Sequence, residues 1–112
     1  MRLVKWTPKA EQDLDGIREY IAKNFGVGRA IDVINTLVDF VESTLAENPL
    51  SGKLVETNPF FAKLIYKKNT VYYCENPKDS CLYVVYVQVR KSSAEPARLQ
   101  KDFVFLQEPV RE

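Results

Sequence analysis

The residues from Ala30 to Leu45 constrain the fold most. Plotted at roughly 100° per residue, Ala30, Ile31, Val33, Ile34, Leu37, Val38, Phe40, Val41 and Leu45 cover about half the circumference of a helix. Asp32, Asn35, Thr36, Asp39, Glu42, Ser43 and Glu47 occupy the other half. One neighbouring helix cannot bury so wide an apolar face. This helix, predicted over about Arg29 to Glu47, must therefore lie against both a sheet and a partner helix. Asn48-Pro49 ends it, because a residue before proline avoids helical conformations.

The partner helix precedes it. Thr7 is a good N-cap, and Pro8 at the first helical position has no amide hydrogen to leave unbonded. Ala10, Leu14, Ile17, Ile21 and Phe25 then recur at helical spacing, while Asp13, Asp15, Arg18, Glu19 and Lys23 fall elsewhere on the wheel. This narrow stripe ends at Gly26 and Gly28. Before it, RLVKW alternates as a short strand. After the second helix, LSGKLVETNP is a loop with a short extended piece at Lys53 to Val55. Three runs rich in Val, Tyr, Phe and Ile follow: FFAKLIYK, VYYCE and CLYVVYVQVR. Lys68-Asn69 and Asn76-Pro77-Lys78-Asp79 fit the turns between them, giving an antiparallel meander.

The predicted fold class is α+β. An N-terminal strand leads into an antiparallel helical hairpin packed on one face of a small antiparallel β-sheet, in the order β-α-α-β-β-β. In the last strand, alternation sends Tyr83, Val85, Val87 and Val89 to the core and Leu82, Val84, Tyr86, Gln88 and Arg90 to the other face. That mixed face is the natural place for a site. In the tail, Ala97 to Leu106 reads as a short helix and Phe103 to Leu106 as a strand; both readings stand.

Composition limits the chemistry. At 112 residues the chain is one domain, and a net charge of +1 confines any nucleic-acid site to a local patch. The absence of histidine excludes Ser-His, Cys-His and His-based metal chemistry. Cys74 and Cys81 alone leave a tetrahedral zinc short of ligands, so neither metal nor cofactor is expected. The two cysteines flank ENPKDS; free thiols are the first reading and a disulfide across the hairpin the second. No apolar run approaches the ~20 residues of a membrane span, and MRLVKWTPKAEQ lacks a signal peptide's apolar core. The expected location is cytoplasmic.

WTPKAEQDLDGIREYIAKNF resembles the opening of the RelE/ParE toxin superfamily of type II toxin-antitoxin systems, which includes plasmid stabilisation proteins. Trp6, Pro8, Ala10, Asp13, Leu14, Ile17, Tyr20, Ile21 and Ala22 carry the resemblance, with LAENPLSG and the strands VYYCE and LYVVYVQV continuing it. It covers residues 2 to 92, and a toxin domain is drawn at 1–92 with a C-terminal tail at 93–112 that belongs to the same domain or responds to an antitoxin. The resemblance implies one of two activities. RelE-like members are ribosome-dependent endoribonucleases that cut mRNA with Lys and Arg on the sheet face and a Tyr or His near the C-terminus. ParE-like members bind and poison DNA gyrase without chemistry of their own. Both are neutralised by a cognate antitoxin.

The nuclease constellation transfers poorly. Lys63 stands at a basic position of such enzymes, but Thr70 or Val71 occupies the next, Ser92 the one after, and the tail offers Arg98, Phe103 and Phe105 but no Tyr or His. Catalytic roles, if the chain cuts RNA, fall to Lys63, Tyr86 and Arg90, acting without histidine as base, acid or cation. The favoured reading is a ParE-like toxin that binds its target or antitoxin through Lys63, Lys67, Tyr86, Gln88, Arg90 and Lys91. A non-toxic member that keeps only antitoxin binding is the third.

Several of these features have plainer readings. Lys67-Lys68 reads as a solvated turn, and Tyr66, Tyr72, Tyr73, Tyr83 and Tyr86 as the usual aromatic content of a small sheet. Arg90-Lys91 reads equally as a charged strand end that resists edge pairing or as a basic corner for an acidic partner. The width of the second helix suits a homodimer or antitoxin contact as well as a core.

Overall fold

A computed structural model describes residues 3–56 and 58–89. Arg90, Lys91, the tail at 93–112 and both readings of Ala97 to Leu106 lie outside the described residues. The elements are β1 (Val4–Trp6), α1 (Pro8–Phe25), α2 (Val27–Glu47), β2 (Lys53–Leu54), β3 (Phe61–Tyr66), β4 (Asn69–Asn76) and β5 (Cys81–Val89). The sheet has five strands in the order β1-β5-β4-β3-β2. β2 to β5 form antiparallel pairs. β1 runs parallel to β5, so the sheet is mixed where a purely antiparallel one was expected. Parallel neighbours need a long crossover, and everything from α1 to β4 lies between these two strands.

Local chemistry sets the helix boundaries. The Thr7 side chain accepts from the Ala10 amide at 3.2 Å, and the Thr7 amide donates to Val84 at 3.0 Å, closing β1 onto β5 as α1 begins. Gly26, at φ 101°, makes the whole interhelical turn. Its amide donates to Ala22 and its carbonyl accepts from Ala30. A β-carbon is disfavoured at this φ. One glycine suffices, so α2 starts at Val27 rather than Arg29. Trp6 donates to Glu42 at 2.8 Å and ties β1 to α2.

The core lies between the helices and the sheet. Ala10, Leu14, Ile34, Leu37, Val41 and Leu45 meet Ala62, Leu64, Val71, Tyr73, Leu82, Val84 and Val87. Phe40 stacks on Tyr66 at 4.3 Å. The expected stripe of α1 is buried only in its first half, at Ala10 and Leu14; Phe25 keeps 67% of its surface exposed.

The strict alternation predicted for β5 fails at a bulge. Tyr72 opposes Tyr86 but Tyr73 opposes Val84, so Val85 has no partner and the faces exchange. Leu82, Val84 and Val87 therefore face the helices, while Tyr83 and Val85 join Tyr86 on the opposite side. Helix α1 holds the bulge in place. The Val87 amide donates to Asp13 at 3.0 Å, and the Thr7 hydroxyl donates to the Val85 carbonyl at 3.5 Å. The β3–β4 turn is Lys67-Lys68, with Lys67 at φ 55°, and Asn69 is already paired to Tyr66 and Val89. Cys74 and Cys81 are both buried and free. Cys74 opposes Tyr83 and Cys81 opposes Asn76, so the disulfide reading is excluded.

Candidate target-binding face

The face turned away from the helices is organised by register into cross-strand rows. Lys53 opposes Lys63, Lys63 opposes Tyr72, and Tyr72 opposes Tyr86. Directly opposed residues share a face, so two cations and two phenol rings stand in one line across four strands. The next row holds Ile65, Thr70 and Gln88, and the Tyr72 hydroxyl donates diagonally to Gln88 at 3.4 Å. On the other side lies a row of Phe61, Cys74, Tyr83 and Lys5.

Both rim cations on the β5 side are held by carboxylates. Lys9 pairs with Asp13 and lies over the Tyr86 ring, its Nζ 5.0 Å from the centroid. Asp13 is the residue that also accepts from Val87. At the far end Lys5 pairs with Asp79 at 3.5 Å, and Tyr83 donates to Asp79 at 2.7 Å. Partial burial pushes the Asp79 carboxyl up, but hydrogen bonds from Tyr83 and the Cys81 amide, with the Lys5 charge, outweigh it and hold the group below its ordinary value. Tyr83 moves the other way, raised by burial and by the neighbouring Asp79. Burial pushes the Cys74 thiol up to about 12, which leaves it an inert thiol rather than a nucleophile.

The predicted site residues divide accordingly. Lys63, Tyr86 and Gln88 share this face; Lys63 and Gln88 are half-buried and Tyr86 is 9% exposed. Lys67 sits in the exposed β3–β4 turn, its Nζ 5.3 Å from the Tyr66 ring. Arg90 and Lys91 fall outside the described residues. Lys53, Tyr72 and Lys9 belong to the same surface but were not singled out as site residues. The register fixed by the Lys67-Lys68 turn is the signal that places Tyr72 beside Lys63 and Tyr86. No sequence pattern announces Lys9, which reaches the face from α1. Among the described residues no group of His, Cys, Asp and Glu is arranged to hold a metal ion.

A helical hairpin on a five-stranded mixed sheet, with lysines and tyrosines in line on the other face, defines a small α+β protein. The fold matches a chain of the chromosomal ParDE toxin-antitoxin system from P. aeruginosa with a TM-score of 0.68 at 20% identity, covering 80% of this chain and 96% of that one. It also matches a chain of the toxin-antitoxin complex RelBE2 from Mycobacterium tuberculosis with a TM-score of 0.62 at 16% identity, covering 81% and 93%. No curated protein sequence matches. The family model for the ParE toxin of the type II toxin-antitoxin system parDE matches residues 4–94, and the chain belongs to this family.

Proposed function

We propose that the protein acts as a toxin by binding a cellular target, DNA gyrase, rather than by cutting RNA, and that a cognate antitoxin neutralises it in the cytoplasm. Family membership supports a toxin role. The observation that favours binding over cleavage is the burial of Tyr86, the proton-transfer candidate in a chain without histidine. An acid or base must come within hydrogen-bond reach of the scissile phosphodiester. The Tyr86 ring, 9% exposed beside Lys9, is poorly placed to approach a ribosomal substrate. The accessible members of the row, Lys53 and Lys63, suit recognition of an acidic protein surface instead. No helix among the described residues is long and apolar enough to cross a membrane.

The test is induction of the full chain in growing bacteria. Replication is expected to stop and cleaved gyrase-DNA complexes to accumulate while messages stay intact. Rapid codon-linked message cleavage would overturn the proposal in favour of a nuclease. Normal growth despite abundant folded protein would leave a family member that retains only antitoxin binding.

A further inference from the structure

The closed end of the helical hairpin is apolar, and among the described residues nothing buries it. Ile21 and Phe25 on α1 are four residues apart, as are Val27 and Ile31 on α2, so each pair shares a helix face. Gly26 alone separates the two helices, which brings both pairs together at the turn. Phe25 keeps 67% of its surface exposed, Val27 66% and Ile31 48%, although Ala30 and Ile34 beside them are buried. The apolar stripes of both helices thus run on past the sheet they cover. Three side chains exposed to this extent leave on the order of 300 Å² of apolar surface open, a patch of the size that marks interaction sites on monomers.

A charged rim surrounds the patch. Lys23 and Arg29 bring two positive charges and Glu19 and Asp32 two negative ones, all exposed and within about two helical turns of Gly26. Among the described residues none of these four has an ion-pair partner, whereas Lys5, Lys9 and Arg18 are all paired. Gly28 adds room at the same end. A β-carbon there would meet nothing within 4 Å, so the chain's own packing does not require a glycine. Glycine weakens a helix, but its bare backbone lets another molecule come close.

We infer that this end of the hairpin is the interface of a homodimer, in which Phe25, Val27 and Ile31 pack against the same residues of a second copy. A two-fold contact sets each surface against a rotated copy of itself. The neutral rim suits that arrangement, because its two cations and two carboxylates can each meet an opposite charge. A strongly acidic or strongly basic partner would find as much repulsion as attraction there. A standard interface takes about 800 Å² from each side, with an apolar centre ringed by polar groups. The patch supplies the centre, and the rim with its polar neighbours supplies the remainder. The site lies about 24 Å along α1 from Lys9, and the helices cover the face of the sheet opposite the row of Lys53 and Lys63. Dimerisation therefore leaves both candidate target-binding faces free, and the dimer presents two of them at once.

Sedimentation equilibrium of the full chain is expected to show monomers and dimers exchanging below about 1 mM protein. A substitution at a two-fold contact acts twice, so Phe25→Glu is expected to raise the dimer dissociation constant at least about a hundredfold. Phe25 is mostly exposed in the single chain, so this variant should keep native circular dichroism. A second readout needs no variant. Dilution of the unmodified chain should shift the amide resonances of residues 21–32 and leave those of β2 and β3 in place. A chain that stays monomeric up to that concentration would overturn the inference and leave the patch to a different partner. So would a dimer that survives Phe25→Glu, or dilution shifts confined to the sheet. If Phe25→Glu does not fold, the dilution series decides. Neither readout involves gyrase, so the dimer and the proposed target fail or survive separately.

Discussion

Gly52 is the position where one added carbon should be felt most. It follows the turn after α2 and precedes β2, which carries Lys53 into the candidate row. The Tyr73 hydroxyl accepts from the Gly52 amide at 3.0 Å and donates to the Pro49 carbonyl at 3.0 Å, pinning the loop to the middle of the sheet. A β-carbon on Gly52 would sit 2.5 Å from that hydroxyl, 2.7 Å from the Lys63 carbonyl oxygen and 2.8 Å from Tyr73 Cε1. The carbonyl is backbone within β3, so it cannot swing aside without parting β2 from β3. Gly52→Ala is therefore expected to cost about 1–3 kcal/mol through overpacking. Tyr73→Phe removes two hydrogen bonds at about 1 kcal/mol each, less whatever water restores. The two effects share one atom. With the hydroxyl gone, the shortest conflict disappears and the hydrogen bond is already lost, so the double variant should be about 1 kcal/mol more stable than additivity predicts. Chemical denaturation of the four proteins measures this cycle. In thermal melts each kcal/mol corresponds to roughly 4–8 °C for a domain of this size. Additivity within about 0.5 kcal/mol would refute the reasoning, since it would mean that the methyl group never meets the hydroxyl.

Two further perturbations probe the start of α1 and the central strand of the sheet. Thr7→Val keeps the side-chain shape but removes the oxygen that caps α1 and contacts the bulge at Val85; a loss of about 1–2 kcal/mol is expected in denaturant melts. Alkaline pH should destabilise the fold through Cys74, whose thiol burial raises from 9.0 to about 12. A group with a raised folded value contributes stability that is complete below its unfolded value and is lost as pH climbs toward the folded one. Stability should thus fall from pH 9 upward by as much as about 1.4 kcal/mol per unit, and Cys74→Ala should flatten that slope in melts between pH 8 and pH 10.

The elements were legible in the sequence because their signals are local. The Thr7-Pro8 start and the Asn48-Pro49 stop follow from what single residues permit, and the structure places helix ends at both. The Val- and Tyr-rich runs gave three strands in the expected order. The parallel pairing of β1 with β5 was not legible, because no local pattern records which distant strand a three-residue segment will join. The faces of β5 were misread for a related reason. Alternation is a valid rule until a residue is inserted, and the insertion at Val85 depends on Asp13 and Thr7, both far away in sequence. YVVYVQV shows no irregularity of its own: six of its seven residues are β-branched or aromatic, so either register buries apolar surface. When both faces of a strand are apolar, hydrophobic patterning cannot choose between them. The hydrogen bond from Val87 to Asp13 then decides. One carboxylate on α1 sets which β5 residues enter the core and leaves Tyr86 on the outer face, in line with Tyr72 and Lys63. The same carboxylate holds Lys9 over Tyr86. Asp13, first read as part of the polar side of an amphipathic helix, thus aligns the candidate face through β5 and Lys9.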